Sequence, residues 1–433
     1  MALHVMEEAN RCLGCKNPRC QQGCPIHTDI PEVIRLLKAG NLDEAVRMLF
    51  ENNPLTTMCS IVCNHEGQCE GHCVRGIKGA PVHFSVIENY ISTTYANKMV
   101  KGPAPSNGRK AAVIGAGPSG LTIAVILARY GYQVTIFDSK DKIGGVMRYG
   151  IPDFRLPDSV LDDFAYRHLE LKGIQFRPNT YIGTALTIDD LFNDGYQSIF
   201  VGAGLWKPNR LHVRGESLGH VSYAINYLAN PDAFRLGERV MVIGTGNSAM
   251  DCARTAIRKG ARYVTCVSLN DSITASDYES SYAKLEGVSF LMNKSTMEIR
   301  DEGVVLADSR VGENGRIEGI PGTEQLYPCD FVIIAVSQGA ESNLISTTKG
   351  IDTTRSGLLT VGEDGHTSRA GVFAAGDAVN GARTVVEAVA HGKKVAEAMH
   401  EYMQSLPMPV YTDYPDAPVA EGVVPDALGE QKI

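Results

Sequence analysis

The chain has 433 residues, of which 44% are hydrophobic and 21% charged, and its formal net charge is −8. A chain of this length exceeds one ordinary hydrophobic core, so two or three domains are expected. The acidic balance argues against a nucleic-acid partner, and the absence of a run of about 18 apolar residues argues against a membrane span.

Eight of the eleven cysteines lie within the first 73 residues, in two groups of four. The spacing of the first group is close to a ferredoxin ligand run, in which the cysteine before a proline often binds a different cluster; it comprises Cys12, Cys15, Cys20 and Cys24, followed by Pro25. The second group comprises Cys59, Cys63, Cys69 and Cys73. Eight thiolates suffice for two [4Fe-4S] clusters. The alternatives are unliganded thiols and structural zinc, whose ligands usually come as two CxxC-like pairs.

The first residues carry neither the basic region nor the apolar region of a secretory signal. This start of the chain predicts a cytoplasmic location. In that compartment thiols stay reduced, so disulfides are not expected and clustered cysteines indicate a metal.

Two short helices are predicted between the cysteine groups. Residues 30–37 have apolar side chains at helical spacing, with Pro31 placed to open the helix, and residues 41–49 form the second. Residues 101–108 consist of turn and linker residues and predict a connection to the next domain.

From residue 110 the pattern changes to alternating strands and helices. Residues 111–114 and 133–137 predict strands on either side of a helix at 121–129, which is a βαβ unit. The intervening loop is GxGxxG, which holds a dinucleotide pyrophosphate at the start of the helix. Asp138, at the end of the second strand, suits the adenosine ribose hydroxyls. The candidate loop residues are Gly115, Gly117, Pro118, Ser119 and Gly120.

The same order recurs about 130 residues later, with strands at 239–243 and 263–267 and a helix at 248–258. The loop is GxGxxA, and two such loops in one chain imply FAD in one site and NADH or NADPH in the other. The residues after the second strand, Leu269 and Asn270, offer no arginine for a 2′-phosphate, and the acid Asp271 is displaced. The choice of nucleotide therefore stays open, as does a degenerate site that binds none. The candidate residues are Gly244, Gly246, Asn247 and Ser248.

A third signal lies near residue 376. Gly376 and Asp377 follow a buried strand, and an aspartate there can accept hydrogen bonds from a sugar-alcohol chain. The helix that begins near Thr384 and Val385 would favour a reduced, anionic flavin through its positive end. From residue 405 the chain is rich in proline and acidic residues and predicts an extended tail.

These motifs together resemble the glutamate synthase small (beta) subunit family. Its relatives include the N-terminal half of dihydropyrimidine dehydrogenase, the bacterial NAD-linked subunit of that enzyme, and the large subunit of a bifurcating ferredoxin–NADP transhydrogenase. The resemblance covers nearly the whole chain, and its most specific piece is the segment 144–157, GGVMRYGIPDFRLP.

The resemblance implies an α/β fold with a helical N-terminal domain for two iron–sulfur clusters and two Rossmann-like domains, the second inserted in the first. The implied limits are 1–105 for the [4Fe-4S] domain, 106–215 with 345–404 for the FAD domain, 216–344 for the NAD(P) domain, and 405–433 for the tail. Within the 144–157 segment and beyond it, the residues expected to position the flavin are Gly145, Arg148, Ile151, Arg155, Gly376 and Asp377.

The resemblance also implies the cluster ligands. One cluster would take Cys12, Cys15, Cys20 and Cys73, and the other Cys24, Cys63, Cys69 and Glu88. That assignment leaves Cys59 spare, whereas counting thiolates alone uses Cys59, so the eighth ligand stays open between Cys59 and Glu88. Family members that use NADPH commonly carry two arginines at the positions of Leu269 and Asn270. The absence of these two arginines indicates either that the nucleotide is NADH or that the nucleotide site is degenerate.

The predicted function is that of an oxidoreductase subunit. It would move electrons between a nicotinamide nucleotide, FAD and two [4Fe-4S] clusters, to or from a partner catalytic or electron-transfer subunit of glutamate synthase-like or dihydropyrimidine dehydrogenase-like type. No catalytic acid or base is assigned, because hydride transfer to a flavin needs none. The alternatives are a subunit of a bifurcating transhydrogenase, a reductase that works alone, and a structural subunit with a non-functional nicotinamide site.

Overall fold

The N-terminal part of the chain is a group of short helices. In the computed structural model, which describes residues 2–96, 102–312, 317–341 and 343–409, they are α1 (Ala2–Asn10), α2 (Arg19–Gln22), α3 (Ile30–Lys38), α4 (Leu42–Asn52), α5 (Thr56–Val62) and α6 (Phe84–Thr94), with a 3-10 turn at Val74–Ile77. The α3 helix begins as predicted, with Pro31 in its first turn and the Asp29 side chain accepting a hydrogen bond from the Glu32 N–H. Its apolar face is buried against α4.

The rest of the chain alternates strands and helices. In chain order these are β1 (Lys110–Ile114), α7 (Pro118–Arg129), β2 (Gln133–Phe137), α8 (Val146–Tyr149), α9 (Asp158–Phe164), β3 (Gln175–Arg177), α10 (Ile188–Asn193), β4 (Ser198–Val201), β5 (Lys207–Pro208), β6 (Val221–Tyr223), α11 (Ala224–Ala229), β7 (Arg239–Ile243), α12 (Asn247–Arg258), β8 (Tyr263–Val267), α13 (Asp277–Leu285), β9 (Ser289–Leu291), β10 (Lys294–Arg300), β11 (Gly303–Val311), β12 (Ile317–Gly319), β13 (Gln325–Pro328), β14 (Phe331–Ile334), β15 (Gln338–Gly339), α14 (Asn343–Ser346), β16 (Val372–Ala374), α15 (Asp377–Asn380) and α16 (Val385–Ser405).

The first large sheet is parallel, with strand order β16-β4-β1-β2-β3. Its strands are short. Strands β16, β4, β1 and β2 are largely buried on both faces, as expected for a sheet covered by helices on either side, whereas the edge strand β3 is largely exposed. The α7 and α16 helices pack against each other beside this sheet. The strand β16 lies near the end of the chain and pairs with β4. The residues between β4 and β16 are therefore an insertion in the sequence of the first sheet's domain.

This insertion forms the second large sheet, also parallel, in the order β6-β14-β7-β8-β9. An antiparallel layer built from β10 to β13 is attached to it, and the sequence analysis did not predict this layer. Both βαβ units are confirmed, and so is the predicted fold class. The exact domain limits stay predictions.

Two predicted segments fall partly beyond the described part of the chain. Of the predicted linker, residues 102–108 contain no helix or strand, and Lys101 lies outside the described residues. Of the predicted tail, α16 runs to Ser405, and residues 410–433 lie outside the described residues.

Within the described ranges, no helix is both long enough and apolar enough to cross a membrane.

A buried histidine lies where the helical part meets the first sheet's helices. The His168 ring stacks on Phe50 of α4 at 5.2 Å and on Phe164 of α9 at 4.8 Å, centroid to centroid. Beside it, the Arg129 guanidinium donates to the Phe50 carbonyl at 2.6 Å. Burial, with lesser effects of the cations Lys172, Arg129 and Arg167, lowers the pKa of His168 to about 3.

This histidine predicts a loss of stability in mild acid. Its pKa in the folded state lies below the value of about 6.5 in the unfolded chain, so only the unfolded state takes up the proton as the pH falls from about 6.5 towards 3. Between pH 7 and pH 5.5 the free energy of unfolding should fall by about 1 kcal/mol on this account. Urea unfolding of the holoprotein at both pH values, compared with His168→Leu, measures it.

His168→Leu should lack this part of the pH dependence, and His4→Leu, at an exposed position in α1, should keep it. Equal pH dependence in His168→Leu and the unaltered chain would contradict the prediction.

Candidate cofactor-binding sites

A cavity opens at the carboxyl ends of the first sheet's strands. The space between its walls measures about 1170 Å³, including the part open to solvent. The α7 helix begins here at Pro118, directly after the glycine loop, so the free N–H groups of its first turn are available to phosphate. The predicted residues that line this cavity, called the FAD cavity below, are Gly115, Gly117, Pro118, Ser119, Asp138, Gly145, Asp377, Thr384 and Val385.

The glycine loop is tightly packed at two of its three glycines. A Cβ on Gly120 would lie 2.0 Å from the Gly115 carbonyl oxygen, and a Cβ on Gly115 would lie 2.3 Å from the Gly202 carbonyl oxygen. No heavy atom lies within 4 Å of a Cβ built on Gly117. The first and third glycines are therefore required by the protein's own packing, whereas the second leaves open space for a cofactor.

Asp138 is held at the end of β2 by two backbone N–H groups. One carboxylate oxygen accepts from Ala116 at 2.6 Å and the other from Lys140 at 2.8 Å. Burial raises the pKa of Asp138, and these two donors oppose that effect. The carboxylate is thus oriented beside the glycine loop, where the ribose hydroxyls are expected.

Asp377 lies across the FAD cavity, just before α16. Burial raises its pKa to about 6, and the Arg383 N–H donates to it at 3.2 Å. The α16 helix is capped by Thr384 and Glu387, each side chain accepting from the other's backbone N–H. The positive end of this 21-residue helix therefore points at the cavity.

The second cavity lies at the carboxyl ends of the second sheet, and the space between its walls measures about 2080 Å³. All four predicted loop residues line it: Gly244, Gly246, Asn247 and Ser248. Four further residues line both this cavity, called the nicotinamide-nucleotide cavity below, and the FAD cavity: Ile225, Gln338, Arg383 and Thr384. The two cavities are therefore contiguous.

The adenosine end of this cavity offers little free positive charge. Leu269 and Asn270 line it, and the side-chain oxygen Oδ1 of Asn270 accepts from the Ser268 hydroxyl at 3.0 Å. Among the lining residues the basic ones are Lys294 and Arg383, and both have carboxylate partners. Lys294 pairs with Asp308 at 2.6 Å, and Arg383, at the junction with the FAD cavity, lies 3.6 Å from Glu387.

The N-terminal cysteines line two smaller cavities, of about 460 and 330 Å³. The outer cavity is lined by Cys12, Cys15, Cys20, Cys69 and Cys73, and the inner cavity by Cys24, Cys59, Cys63, Cys69 and Glu88. The two cavities share Ile30, Cys69 and Phe84. In the outer cavity Cys12, Cys15, Cys20 and Cys73 are partly exposed and only Cys69 is buried. In the inner cavity only Cys63 is partly exposed, whereas Cys24, Cys59 and Cys69 are buried, so the outer cavity is the one nearer the surface.

These cavities fit iron–sulfur clusters. All eleven cysteines are free, and burial raises the pKa of Cys20 to about 11 and that of Cys69 further. Thiols of this kind become ligands only when a metal displaces their protons. The inner cavity also holds His65, whose buried Nε2 has no hydrogen-bond partner in the described structure. Among the described residues, no three histidine, cysteine, aspartate or glutamate side chains are grouped as the ligands of a single metal ion would be.

The first turn of α16 lies between the FAD cavity and the inner cavity. Val385 lines the FAD cavity and the next residue, Val386, lines the inner cavity. The nicotinamide-nucleotide, FAD, inner and outer cavities therefore follow one another in that order, each adjoining the next through shared or consecutive residues.

Most of the described chain matches known protein families. Residues 2–100 match the family described as dihydropyrimidine dehydrogenase domain II, 4Fe-4S cluster. Residues 113–163 match an NAD(P)-binding Rossmann-like domain, and residues 170–392 match the pyridine nucleotide-disulphide oxidoreductase family. The thioredoxin reductase of T. acidophilum shares the fold over 69% of this chain and 100% of its own, with a TM-score of 0.55 and 23% identity.

Full-length relatives are also found. The glutamate synthase [NADPH] small chain of Halomonas elongata is 35% identical over 428 residues, covering 92% of this chain and 90% of the relative. The chain belongs to the glutamate synthase small-chain family. The NAD-dependent dihydropyrimidine dehydrogenase subunit PreT of Escherichia coli K12 is 32% identical over 411 residues, covering 93% of this chain and 95% of its own.

As a member of this family, the chain is an NAD(P)H-dependent flavin and iron–sulfur oxidoreductase. It binds FAD, [4Fe-4S] clusters and a nicotinamide nucleotide. The predicted family, fold class and cofactors are thereby confirmed.

Five of the residues predicted to form the first glycine loop or to position the flavin do not line the FAD cavity: Gly120, Arg148, Ile151, Arg155 and Gly376. The Arg148 guanidinium donates to the Ile143 carbonyl at 2.8 Å and pairs with Asp162 at 2.6 Å. That of Arg155 pairs with Asp251 and Glu279 of the second sheet's domain, at 2.8 and 2.7 Å. Both arginines therefore make their described contacts with other protein groups. Their direct contact with FAD stays a prediction.

Other residues of the FAD cavity were missed by the sequence analysis, among them Tyr181, Trp206, Ile225, Gln338 and Glu341. Trp206, the chain's single tryptophan, had a usable signal. It follows a buried strand, β4, and the glycines Gly202 and Gly204, which is where ligands bind in open α/β sheets. The other four come from distant parts of the chain and carry no such pattern.

We propose that Glu88, and not Cys59, is the fourth ligand of the cluster in the inner cavity. Both line the inner cavity. The Glu88 carboxylate is buried, accepts from the Thr56 hydroxyl at 2.6 Å, and has no ion-pair partner among the described residues. Burial raises its pKa to about 7. A buried carboxylate without a cation is costly, and iron supplies the missing positive charge.

The second glycine of the loop provides a test of FAD binding. Gly117→Ala should leave the fold intact, because nothing lies within 4 Å of the added methyl group, yet it should crowd the pyrophosphate. FAD affinity should fall by about tenfold or more, equivalent to about 1.4 kcal/mol, as measured by FAD titration of the apoprotein.

The matched control is Gly120→Ala, in which the methyl group would lie 2.0 Å from the Gly115 carbonyl oxygen. That variant should unfold at lower temperature in the absence of FAD, whereas Gly117→Ala should not. Unchanged FAD affinity in Gly117→Ala would contradict the assignment of this loop.

The eighth cluster ligand is tested by Cys59→Ala and Glu88→Gln. Cys59→Ala should keep the iron content and both reduced-cluster EPR signals. Glu88→Gln should alter or remove the signal of one cluster and leave the other, because it replaces a carboxylate ligand by a neutral amide. The reverse outcome, loss of a cluster in Cys59→Ala alone, would identify Cys59 as the ligand.

Proposed function

We propose that this chain is the electron-input subunit of a larger complex. It exchanges electrons between a nicotinamide nucleotide, FAD and two [4Fe-4S] clusters, to or from a partner catalytic subunit of glutamate synthase-like or dihydropyrimidine dehydrogenase-like type. In support, its relatives are named as chains of such enzymes, the glutamate synthase small chain and the subunit PreT.

The order of the cavities is the observation that carries the proposal. When bound, FAD takes up two electrons together and releases them singly, and iron–sulfur clusters take up one electron each. The nicotinamide-nucleotide and FAD cavities share four wall residues, and only the step from Val385 to Val386 separates the FAD cavity from the inner cavity.

The two cysteine cavities support the ligand sets that the family resemblance implies. Cys12, Cys15, Cys20 and Cys73 would hold the outer cluster, and Cys24, Cys63, Cys69 and Glu88 the inner one. Cys69 also lines the outer cavity, which brings the two ligand sets next to each other. The outer cluster, with partly exposed ligands, is then the one that faces the partner.

NADH is the nucleotide that the adenosine end of its cavity favours. A 2′-phosphate is bound by a cation that is not already paired with a carboxylate. Both cations that line this cavity, Lys294 and Arg383, have carboxylate partners. Leu269, half exposed at the cavity wall, takes one of the two positions where arginines would stand.

The proposed setting is the cytoplasm. Free thiols, eight of them in the N-terminal cavities, persist in a reducing compartment and would be lost to disulfides in an oxidising one.

Anaerobic titration of the holoprotein tests both the function and the nucleotide preference. NADH should bleach the flavin and reduce the clusters in turn, with NADPH requiring about tenfold higher concentration or more. Leu269→Arg with Asn270→Arg should lower the NADPH concentration needed by about tenfold, because it adds free cations beside the 2′-position. Absorbance and EPR report flavin and clusters separately.

As a control, Lys284→Arg with Lys349→Arg changes side chains that do not line the nicotinamide-nucleotide cavity and should leave both titrations unchanged. A holoprotein whose flavin neither nucleotide bleaches would refute the proposal and favour a purely structural subunit.

A further inference from the structure

We propose that the surface around the outer cavity docks the acidic face of a partner electron-transfer protein. This docking surface consists of residues 11–20 and 71–80, which carry four of the five cysteines of the outer cavity and the turn after Cys73. The inference rests on the proposed function, since it names the chemistry of the partner that such a subunit would serve.

The two segments form one continuous surface. Leu13 and Arg75 line the same outer cavity, and the Arg11 guanidinium donates to the Ala80 carbonyl at 2.5 Å. The Val82 N–H, just beyond, lies 3.5 Å from the Cys73 sulfur. Parts of the chain 69 residues apart are therefore held together around the cysteines.

Large apolar side chains are exposed on this surface. Leu13 is 62% exposed and Ile77 is 67% exposed. A single exposed apolar residue is ordinary on a protein surface. Here, however, Leu13 lines a cavity whose wall surface is nearly all apolar and holds the thiols, and Ile77 ends the short turn whose first two residues, Val74 and Arg75, line the same cavity. This combination suits a surface that is covered during electron exchange.

The charge of the docking surface is opposite to that of the chain. Residues 11–20 and 71–80 contain five basic residues and no acidic one, whereas the whole chain has a net charge of −8. Four of the five are exposed and have no ion-pair partner among the described residues: Lys16, Arg19, Arg75 and Lys78. The neighbouring acids Glu8 and Glu70 are buried and paired, with Arg11 and His83.

These charges point to the kind of partner. Unpaired cations around an apolar centre attract a surface with acidic side chains around its own redox group, and such attraction raises the rate of encounter. A basic partner would be repelled from the same place. The expected occupant is thus an electron-transfer protein whose surface around its redox group is rich in aspartate and glutamate.

Zero-length cross-linking locates the surface. The holoprotein is mixed with an acidic plant-type ferredoxin as the probe, and a carbodiimide couples lysine amines to carboxylates in contact. Peptide mapping should find the cross-links at Lys16 and Lys78. Cross-links confined to lysines of other parts of the chain would overturn the proposal.

The affinity for the same ferredoxin measures how much the charges and the apolar side chains of the docking surface each contribute to binding. Arg75→Glu with Lys78→Glu should weaken binding by about tenfold at ~0.01 M salt, where charges act over about 30 Å, and hardly at all at ~1 M, where they act over about 3 Å. Ile77→Ser should weaken binding at both salt concentrations, because an apolar contact is not screened. Equal binding by the charge-reversed and unaltered proteins would overturn the proposal.

Lys349→Glu with Arg355→Glu is the matched control. Both positions are exposed and lie far along the chain from the docking surface, and this variant should bind and cross-link like the unaltered protein. Iron content, flavin content and NADH-dependent bleaching are measured on every sample. A holoprotein that neither nucleotide reduces refutes the proposed function even if cross-linking succeeds. A reducible holoprotein without cross-links at Lys16 and Lys78 refutes only the docking surface.

Discussion

The close approach of the FAD cavity and the inner cavity at the start of α16 is the constraint on which the rest of the structure depends. Consecutive residues, Val385 and Val386, face the two sides. Two redox groups exchange electrons only over short distances, so the helical N-terminal part must be held firmly against the first sheet's domain at this point. The capping box of Thr384 and Glu387 defines where the helix begins and therefore where this boundary lies.

Several polar contacts hold the helical part in this position. Lys393 of α16 bonds to the Asn52 side chain, and Arg129 of α7 bonds to the Phe50 carbonyl. The stack of His168 between two aromatic rings fills the space beside them. Burying an imidazole with an unpaired Nδ1 is unfavourable, and its persistence indicates that close packing across this junction outweighs the cost.

The second sheet's domain is fixed by buried charges. Arg155 of the first sheet's domain pairs with Asp251 and Glu279, and Arg254 pairs with Glu279 at 2.8 Å. The Tyr278 N–H reaches across to Glu66 of the helical part at 2.7 Å. Such pairs add little net stability, but breaking one is costly because it leaves a buried charge alone. They set the orientation in which the two nucleotide cavities adjoin.

The features that depend on local pattern could be predicted from the amino-acid sequence alone. The glycine loops, the strands beside them, Asp138 and the cysteine spacing are all signals within a few residues, because a tight turn, a helix start and a ligand run are local structures. Tertiary structure alone decided which residues meet. It gave Arg148 and Arg155 protein partners, brought Glu88 beside the thiols of the inner cavity, and joined Tyr181 and Gln338 in one wall. Those contacts arise from packing between segments far apart in the chain, which no local pattern encodes.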